Sequence, residues 1–562
     1  CLGTDWIKNA GGTKPDYISA ITNDGIGNLY ITGTNDGTGG PMIFGTTTLT
    51  PVSPSELFIA KIDTNGNFLW AKKAGGTGVK VSNSITSDAS GNVYITGSFK
   101  NNLITFGTTT LAPISGSEDI FITKLDANGN FIWAKKAGGP GIDVGKGICN
   151  DINGNVYVTG QCSTSVFGST TITSAGTVDV FISKLDALGN FIWTSRGGGT
   201  ILDYGTAITT DALSNIYVTG TYNSNVAAFG TTNLTGAGTN MFVSKLDNNG
   251  NFLWAKKAVS TSSISSSSYG NSIKSDNAGN IYLSGEFGTS IALGTTTLNS
   301  IYSSGTEYLD GFVTKIDANG NFLWAKKIGG QGNDFVNNIT TDGNNNIYAV
   351  GTFTGTTSTF GTYTLSSASN DIFVAKIDAN GNFLWVKQTG SNSSDEGNGV
   401  SVLGSGIYYI GNFSNTLNTL SQLPITITGS NNFSDVFVSK IGQYFYSSQS
   451  IATCNNDYFW NGTTYTLSGF YSDTLINLSG CDSITTLALT LNTTPAVIAN
   501  ATATNVCLGN NITLTGSGAT SYSWTGGVSN GVAFSPSSSN TYTVTGTASN
   551  GCSSSSSIYI FI

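Results

Sequence analysis

The chain has 562 residues, a formal net charge of −9, no histidine and one arginine, Arg196. Without histidine it lacks the commonest general base and the favoured zinc ligand, and one arginine cannot build a carboxylate-gripping cluster. No basic run exceeds two residues, which argues against a nucleic-acid partner. No apolar run approaches the ~20 residues that span a bilayer as a helix. Only 10% of residues are charged and Gly, Ser, Thr and Asn abound, the composition of a turn-rich β-protein.

From the N-terminus, Trp6-Ile7-Lys8-Asn9-Ala10 stands alone ahead of a phrase that recurs every 60 to 70 residues. In its second copy the phrase reads Ser84-Ile85-Thr86-Ser87-Asp88, then Gly91-Asn92-Val93-Tyr94-Ile95-Thr96-Gly97. After a gap come Asp119 to Asp126 and Asn130-Phe131-Ile132-Trp133-Ala134-Lys135-Lys136. Trp70, Trp133, Trp193, Trp254, Trp324 and Trp385 each end such a unit, and Trp6 makes seven. Four short strands per unit and seven units predict an all-β, seven-bladed β-propeller over 1–445. The last copy keeps three strands, ending at Asp435–Ile441, so residues near 4–10 are expected to supply its outer strand and close the ring.

Turn chemistry sets the strand phase. Asp88-Ala-Ser-Gly-Asn92 and Asp126-Ala-Asn-Gly-Asn130 are short turns between β-branched runs, so first and second strands pair locally, as do third and fourth. The longer segment between second and third strands usually carries Phe-Gly-Thr-Thr-Thr-Leu (Phe106 to Leu111), expected to pin an extra hairpin onto the blade. Asp63, Asn65 and Asn67 alternate like cation ligands, but Gly66 falls fourth and the turn runs straight into a strand, unlike an EF-hand loop; turn capping is the expected role. The tyrosines equivalent to Tyr94 sit mid-strand at one blade position and are expected to pack between blades.

All 23 Lys and Arg lie at or before Lys440. Beyond it, two small modules are expected, 446–494 and 495–562, the first thin in core. A Cys454–Cys481 bridge is the expected staple of the first. Cys149 should face Tyr157 in its hairpin and not Cys162, so both are expected as buried free thiols. Cys1 opens the chain like the first residue of a processed secretory protein and is a candidate lipidation site.

The Gly-Asn-Val-Tyr-Ile-Thr-Gly and Asp-Ala-Asn-Gly-Asn-Phe-Ile-Trp phrases resemble the SBBP propeller repeats of bacterial surface and secreted proteins, and more distantly NHL repeats. Cys507-Leu-Gly-Asn, Tyr522-Ser-Trp524, Thr541 to Thr545 and Asn550-Gly-Cys552 resemble the Ig-like or PKD-like modules of Bacteroidetes surface proteins. Tyr542 lies ten residues before Cys552 and not two, so a bridge from first strand to late hairpin, Cys507–Cys552, is expected there in place of the antibody pattern. The resemblance implies a small β-sandwich-like module, a bacterial cell-surface location, and export by a type IX system. Asp473-Thr474-Leu475 and Asp482-Ser483-Ile484 resemble O-glycosylation sites of such proteins, which makes Thr474 and Ser483 candidates.

No phosphate loop, serine-nucleophile motif or CxxC pair occurs, and no catalytic residue, metal ligand or cofactor is assigned. The expected function is non-catalytic: an extracellular propeller head on small modules that binds a surface glycan or protein, with outer-membrane or secretion machinery as further candidate partners. Its expected binding face is that of the variable segments between second and third strands, with Tyr302, Glu307 and Tyr308 as anchors. A polysaccharide hydrolase or lyase is the alternative. It would need convergent carboxylates, and Glu307, Asp310, Asp395 and Glu396 are the candidates. A structural subunit of a surface assembly is a third reading.

Overall fold

A computed structural model describes all residues except 1–5, 13, 37–39, 54, 115, 262–266, 277, 301, 304–305, 415, 420–425, 430–433, 442–444 and 477–481. The described residues form two compact units, one ending at Ile441 and one starting at Phe445.

The first unit contains seven antiparallel four-stranded blades. Blade one is Asp16–Asn23, Asn28–Asp36, Ser55–Asp63 and Phe68–Lys73, in that spatial order. Blades two to six repeat it over 79–137, 144–198, 203–257, 268–330 and 335–390. Blade seven takes its inner three strands from 396–441 and its outer strand from Trp6–Ala10, with Trp6 opposite Lys440 and Ala10 opposite Val436. Each first strand touches the first strand of the next blade, and the seventh touches the first. The first strands therefore surround a central axis in a closed ring, and no blade edge is left at the join.

One row of side chains crosses every blade. In blade one Lys61 lies between Tyr30 and Trp70 in register, its ammonium 5.4 Å from the Tyr30 ring centroid. Blade seven builds the same row from Lys440, Tyr408 and Trp6. Each tyrosine is buried against the following blade, as Tyr30 packs with Ile85, Val93 and Phe99, so the blade-to-blade role expected for it holds. The turns are capped as expected. Asp63 accepts from the backbone N–H of Asn65 and Asn67 and from the Asn67 amide, and the turns at Asp126, Asp186, Asp247, Asp317 and Asp378 repeat this.

The Phe-Gly-Thr-Thr-Thr-Leu segments fold into the expected hairpins; Phe106 is buried against Phe121 and Phe131 of its own blade. They also do something the repeat did not announce. Each of several hairpins pairs back onto the end of the preceding blade, as Phe229 does with Gly197 and Phe360 with Ile328, stitching neighbours by main-chain hydrogen bonds.

A second seam device is electrostatic. Between blades five and six, Asp310 from a third strand and Asp334 ahead of the next first strand converge at Gly329, with Lys327 pairing Asp310 at 2.7 Å. A Cβ on Gly329 would lie 2.3 Å from Asp310 Oδ1 and 2.7 Å from Asp334 Oδ2, so only glycine leaves room. Asp119, Lys136 and Asp143 repeat the device, as do Asp179, Arg196 and Asp203. Between blades one and two, Lys80 replaces the second acid and pairs with Glu56 at 3.1 Å, both buried. Between six and seven, Asp371 and Asp395 meet with the neutral Gln388 in the lysine position.

In the second unit, Asp482–Leu491 pairs in parallel with Phe445–Thr453 and antiparallel with Gly469–Ile476, over a small core of Trp460, Leu487 and Leu489. Beyond Pro495, two three-stranded sheets (Ile498–Ala501, Ile512–Ser517 and Ala533–Phe534; Ser521–Trp524, Asn540–Thr547 and Ser553–Ile560) share a core of Leu514, Trp524, Tyr542 and Val544.

The expected cysteine pairing is corrected here. Cys454 is bonded to Cys552, with Cα atoms 5.6 Å apart, so neither Cys454–Cys481 nor Cys507–Cys552 forms, and the bridge ties the two expected modules together. The reason is strand length. Asn505 and Val506 lie beside Phe561, beyond the far end of Ser553–Ile560, whereas Cys552 precedes its start. Eight residues at about 3.3 Å each separate the two cysteines far beyond disulfide reach. The same turn that carries Cys552 lies against Thr493, to which Asn550 donates, close to where Phe445–Thr453 ends. Cys507 is free and exposed. Cys481 lies outside the described residues.

Candidate binding site at the channel mouth

The loops before each first strand and after each second strand share one face of the ring, because those strands are antiparallel neighbours. This is the face expected to carry a partner. Its side chains at Tyr302 and Glu307 lie outside the described residues, as do those of Thr474 and Ser483 in the second unit and all of Cys1. Tyr308 is half-buried, and its carbonyl accepts from Ser300. The catalytic candidates in this region are committed elsewhere: Asp310 is fully buried against Lys327, and Asp395 is fully buried and accepts from Ser391. Glu396 is exposed on a first strand opposite Asn412.

What the face does converge on is the mouth of the axial channel. Two levels of first-strand residues ring it. At the outer level stand Tyr17, Val81, Val144, Tyr204, Tyr269, Phe335 and Glu396 at equivalent register positions, so aromatic rings occupy the consecutive blades four, five and six. Two residues deeper, every first strand carries a one-residue bulge, and the bulged residues are Ser19, Asn83, Lys146, Thr206, Asn271, Asn337 and Asn398. A bulge re-aims its side chain. Here the asparagines turn toward the following blade: Asn83 donates to Gly145 O at 2.8 Å, Asn337 to Gly397 O at 2.8 Å, and Asn398 to Ile18 O at 2.9 Å.

Blade three carries the one charged residue at this level. Lys146 stands where most other blades have Asn, and it reaches over the Tyr204 ring of blade four, 4.4 Å from its centroid. Burial holds its ammonium below the ordinary lysine range. Tyr204 in turn feels Tyr269 and Glu286 of blade five, and burial with those neighbours raises its phenol. Glu286 is the cross-strand partner of Tyr269 and the only acid among its equivalents Thr34, Ser98, Gln161, Thr221, Thr352 and Asn412. Burial pushes its carboxyl up to about 7, opposed by a hydrogen bond from Asn271. The same Asn271 amide donates to Val336 O, holding the carboxyl toward blade six.

At the opposite end of the channel, Cys149 faces Tyr157 in register, as expected, and Lys274 occupies the equivalent position two blades on. Burial pushes the Cys149 thiol up and holds the Lys274 ammonium below the ordinary lysine range. Cys162 is fully buried and free. The mouth residues depart from the repeat, and that departure is the signal the chain offers: a charge at a bulge that is otherwise Asn, Ser or Thr, and an acid opposite the outer level where the other blades carry Thr, Ser, Gln or Asn.

A family model described as β-propeller repeat (SBBP) matches residues 132–165 and 323–355. Each match begins in an outer strand and ends in or just past the second strand of the next blade, so the sequence repeat straddles a seam. An uncharacterized WD repeat-containing protein, L264, of Acanthamoeba polyphaga mimivirus is 25% identical over 519 residues, covering 76% of this chain and 37% of that relative. The chain thus spans little more than a third of the length of that curated relative. Among solved structures, a mutant of puromycin hydrolase aligns at TM-score 0.37 and 8% identity, covering 84% of this chain and 58% of its own. The WD40 domain of SCAP from fission yeast aligns at TM-score 0.35 and 9% identity, covering 78% of this chain and 98% of its own. An α-L-arabinanase of Penicillium chrysogenum aligns at TM-score 0.35 and 11% identity, covering 65% and 93%. At these values the likenesses carry nothing about chemistry.

Proposed function

We propose that this β-propeller repeat protein is a non-catalytic extracellular binding protein. A seven-bladed head presents its ligand site at the channel mouth, and the Cys454–Cys552 unit, with its Ig-like second half, serves as a stalk at a bacterial surface. The observation that carries the reading is the break in repetition at the mouth: Lys146 is the one charged residue among the bulge positions, Glu286 is the one acid at its own position, and Tyr204 and Tyr269 stand beside them on an otherwise repeated scaffold. Stability needs only the repeat, so rigid, enclosed aromatic and charged groups at one place are spent on recognition. The disulfide fits an oxidising, extracellular setting. Glycosylation at Thr474 and Ser483, and Tyr302, Glu307 and Tyr308 as partner contacts, belong to the same reading.

The full chain applied to a glycan array tests it, with Tyr204→Ala and Tyr269→Ala as controls. Retention of discrete glycans by the parent, lost in both variants, is the expected result. Identical profiles for parent and variants would remove the channel mouth as the site.

A further inference from the structure

Two first-strand lysines stand without a counterion among the described residues. Among the described residues neither Lys146 nor Lys274 forms an ion pair or donates a hydrogen bond, whereas Lys80, Lys136, Lys327 and Arg196 at the seams all pair with acids. Lys146 is the informative one because it sits beside the aromatic arc. Its ammonium rests on one face of Tyr204, and Glu286, the acid of blade five whose charge Tyr204 feels, is engaged by Asn271 and does not neutralise it. An enclosed cation of this kind is costly to keep and is relieved by an anion that enters with its own hydrogen-bonding shell.

Resting on the reading of the mouth as a ligand site, we infer that it takes a carboxylate-bearing saccharide: the carboxylate on Lys146, the sugar ring against Tyr269, and a hydroxyl on the Glu286 carboxyl. Each group matches one part of such a ligand. A pyranose offers a flat C–H face to an aromatic ring and hydroxyls at its edge, which a carboxyl and an amide can bond. An acidic peptide offers the carboxylate but no rigid hydroxylated ring to span Tyr269 and Glu286 together. With its carboxyl titrating near neutrality, Glu286 is in part a neutral donor at pH 7 and does not repel the ligand's charge. Binding should therefore weaken as pH rises from 6 to 8 and Glu286 ionises.

Calorimetry on the full chain tests this with three probes: trigalacturonate, galactotriose as a neutral trisaccharide, and an Asp-Glu tetrapeptide. Trigalacturonate is expected to bind at least tenfold more tightly than either other probe. Lys146→Met, which keeps the aliphatic contact with Tyr204, should cost tenfold or more, and Glu286→Gln should abolish the pH dependence while retaining binding. Mass-spectrometric footprinting by lysine acylation gives a readout independent of affinity, since trigalacturonate should protect Lys146. Equal binding of galactotriose, tighter binding of the peptide, an unaltered Lys146→Met variant with Lys146 unprotected, or no binding of any probe at millimolar concentration each overturns the inference. If these arms fail while Tyr269-dependent glycan retention on the array persists, the head remains a binding module and only the ligand class falls.

Discussion

The indole N–H of Trp6 donates to the carbonyl of Thr64, 3.1 Å away and 58 residues along the chain. Trp70 reaches Ala127 O in the same way, Trp133 reaches Ala187 O, and Trp254 reaches Ala318 O. In every case the tryptophan of one blade bonds the outer turn of the next. Trp6 therefore serves as the tryptophan of blade seven, bonding blade one, and the N-terminal strand closes the ring from both sides.

Removing residues 1–10 should cost the propeller its closure and not merely one strand. Trp6→Ala alone is expected to destabilise it by about 3 kcal/mol, the usual size for a large buried aromatic. Thermal melts followed by tryptophan fluorescence check this: the propeller transition is expected to stay single and shift down for both. A truncated chain that melts with the parent would show the ring closed without its N-terminal strand.

Cys454 and Cys552 close a loop with a sequence separation of 98. Loop-entropy arithmetic gives such a bridge roughly 4–5 kcal/mol as an upper figure. Non-reducing peptide mapping should recover the 454 and 552 peptides linked, and Cys507 should react with maleimide before reduction. Cys454→Ser should lower the melting of the second unit and leave the propeller transition in place.

The seam of blades six and seven should make the propeller less stable in mild alkali. Burial pushes Asp395 up to about 7, with Asp371 adding repulsion, and Asp334 in the preceding seam is also pushed up to about 7. These are acids whose folded-state pKa lies above the unfolded value near 3.8, so the folded state holds extra protons between the two. Stability is then fully present at and below about pH 4 with respect to these groups and is lost as pH rises through about 7. Melting temperature should fall between pH 5 and pH 8. Asp395→Asn should flatten that slope and raise the melting temperature at pH 8, and an unchanged slope would refute the assignment.

At the seam of blades one and two, Lys80→Met leaves Glu56 buried beside Lys73 alone, 4.0 Å away. Breaking a buried pair from one side costs about 3–5 kcal/mol. The double change Glu56→Asp with Lys80→Asp rebuilds the arrangement of Asp119, Lys136 and Asp143, with Lys73 as the cation. It should be more stable in denaturant melts than the Glu56→Asp and Lys80→Asp single effects predict, whereas additivity of those two effects would show that the seam is not a transferable unit.

By itself the sequence determined what is local and periodic. Asp-x-x-Gly-Asn turns specify their own capping, alternating β-branched strands specify their faces, and seven tryptophans with one out of phase specify a closed ring. Even the facing of Cys149 and Tyr157 followed from a hairpin counted back from its turn. Tertiary structure alone decided what depends on distance between elements. Cys454 found Cys552 because an eight-residue strand carries Cys507 to the other end of its module, and no spacing rule encodes that. Lys146 and Glu286 read as ordinary strand residues until the ring curves blades three, four and five around Tyr204. The axis is a property of seven blades together, so the residues that meet on it become a site only when the ring closes.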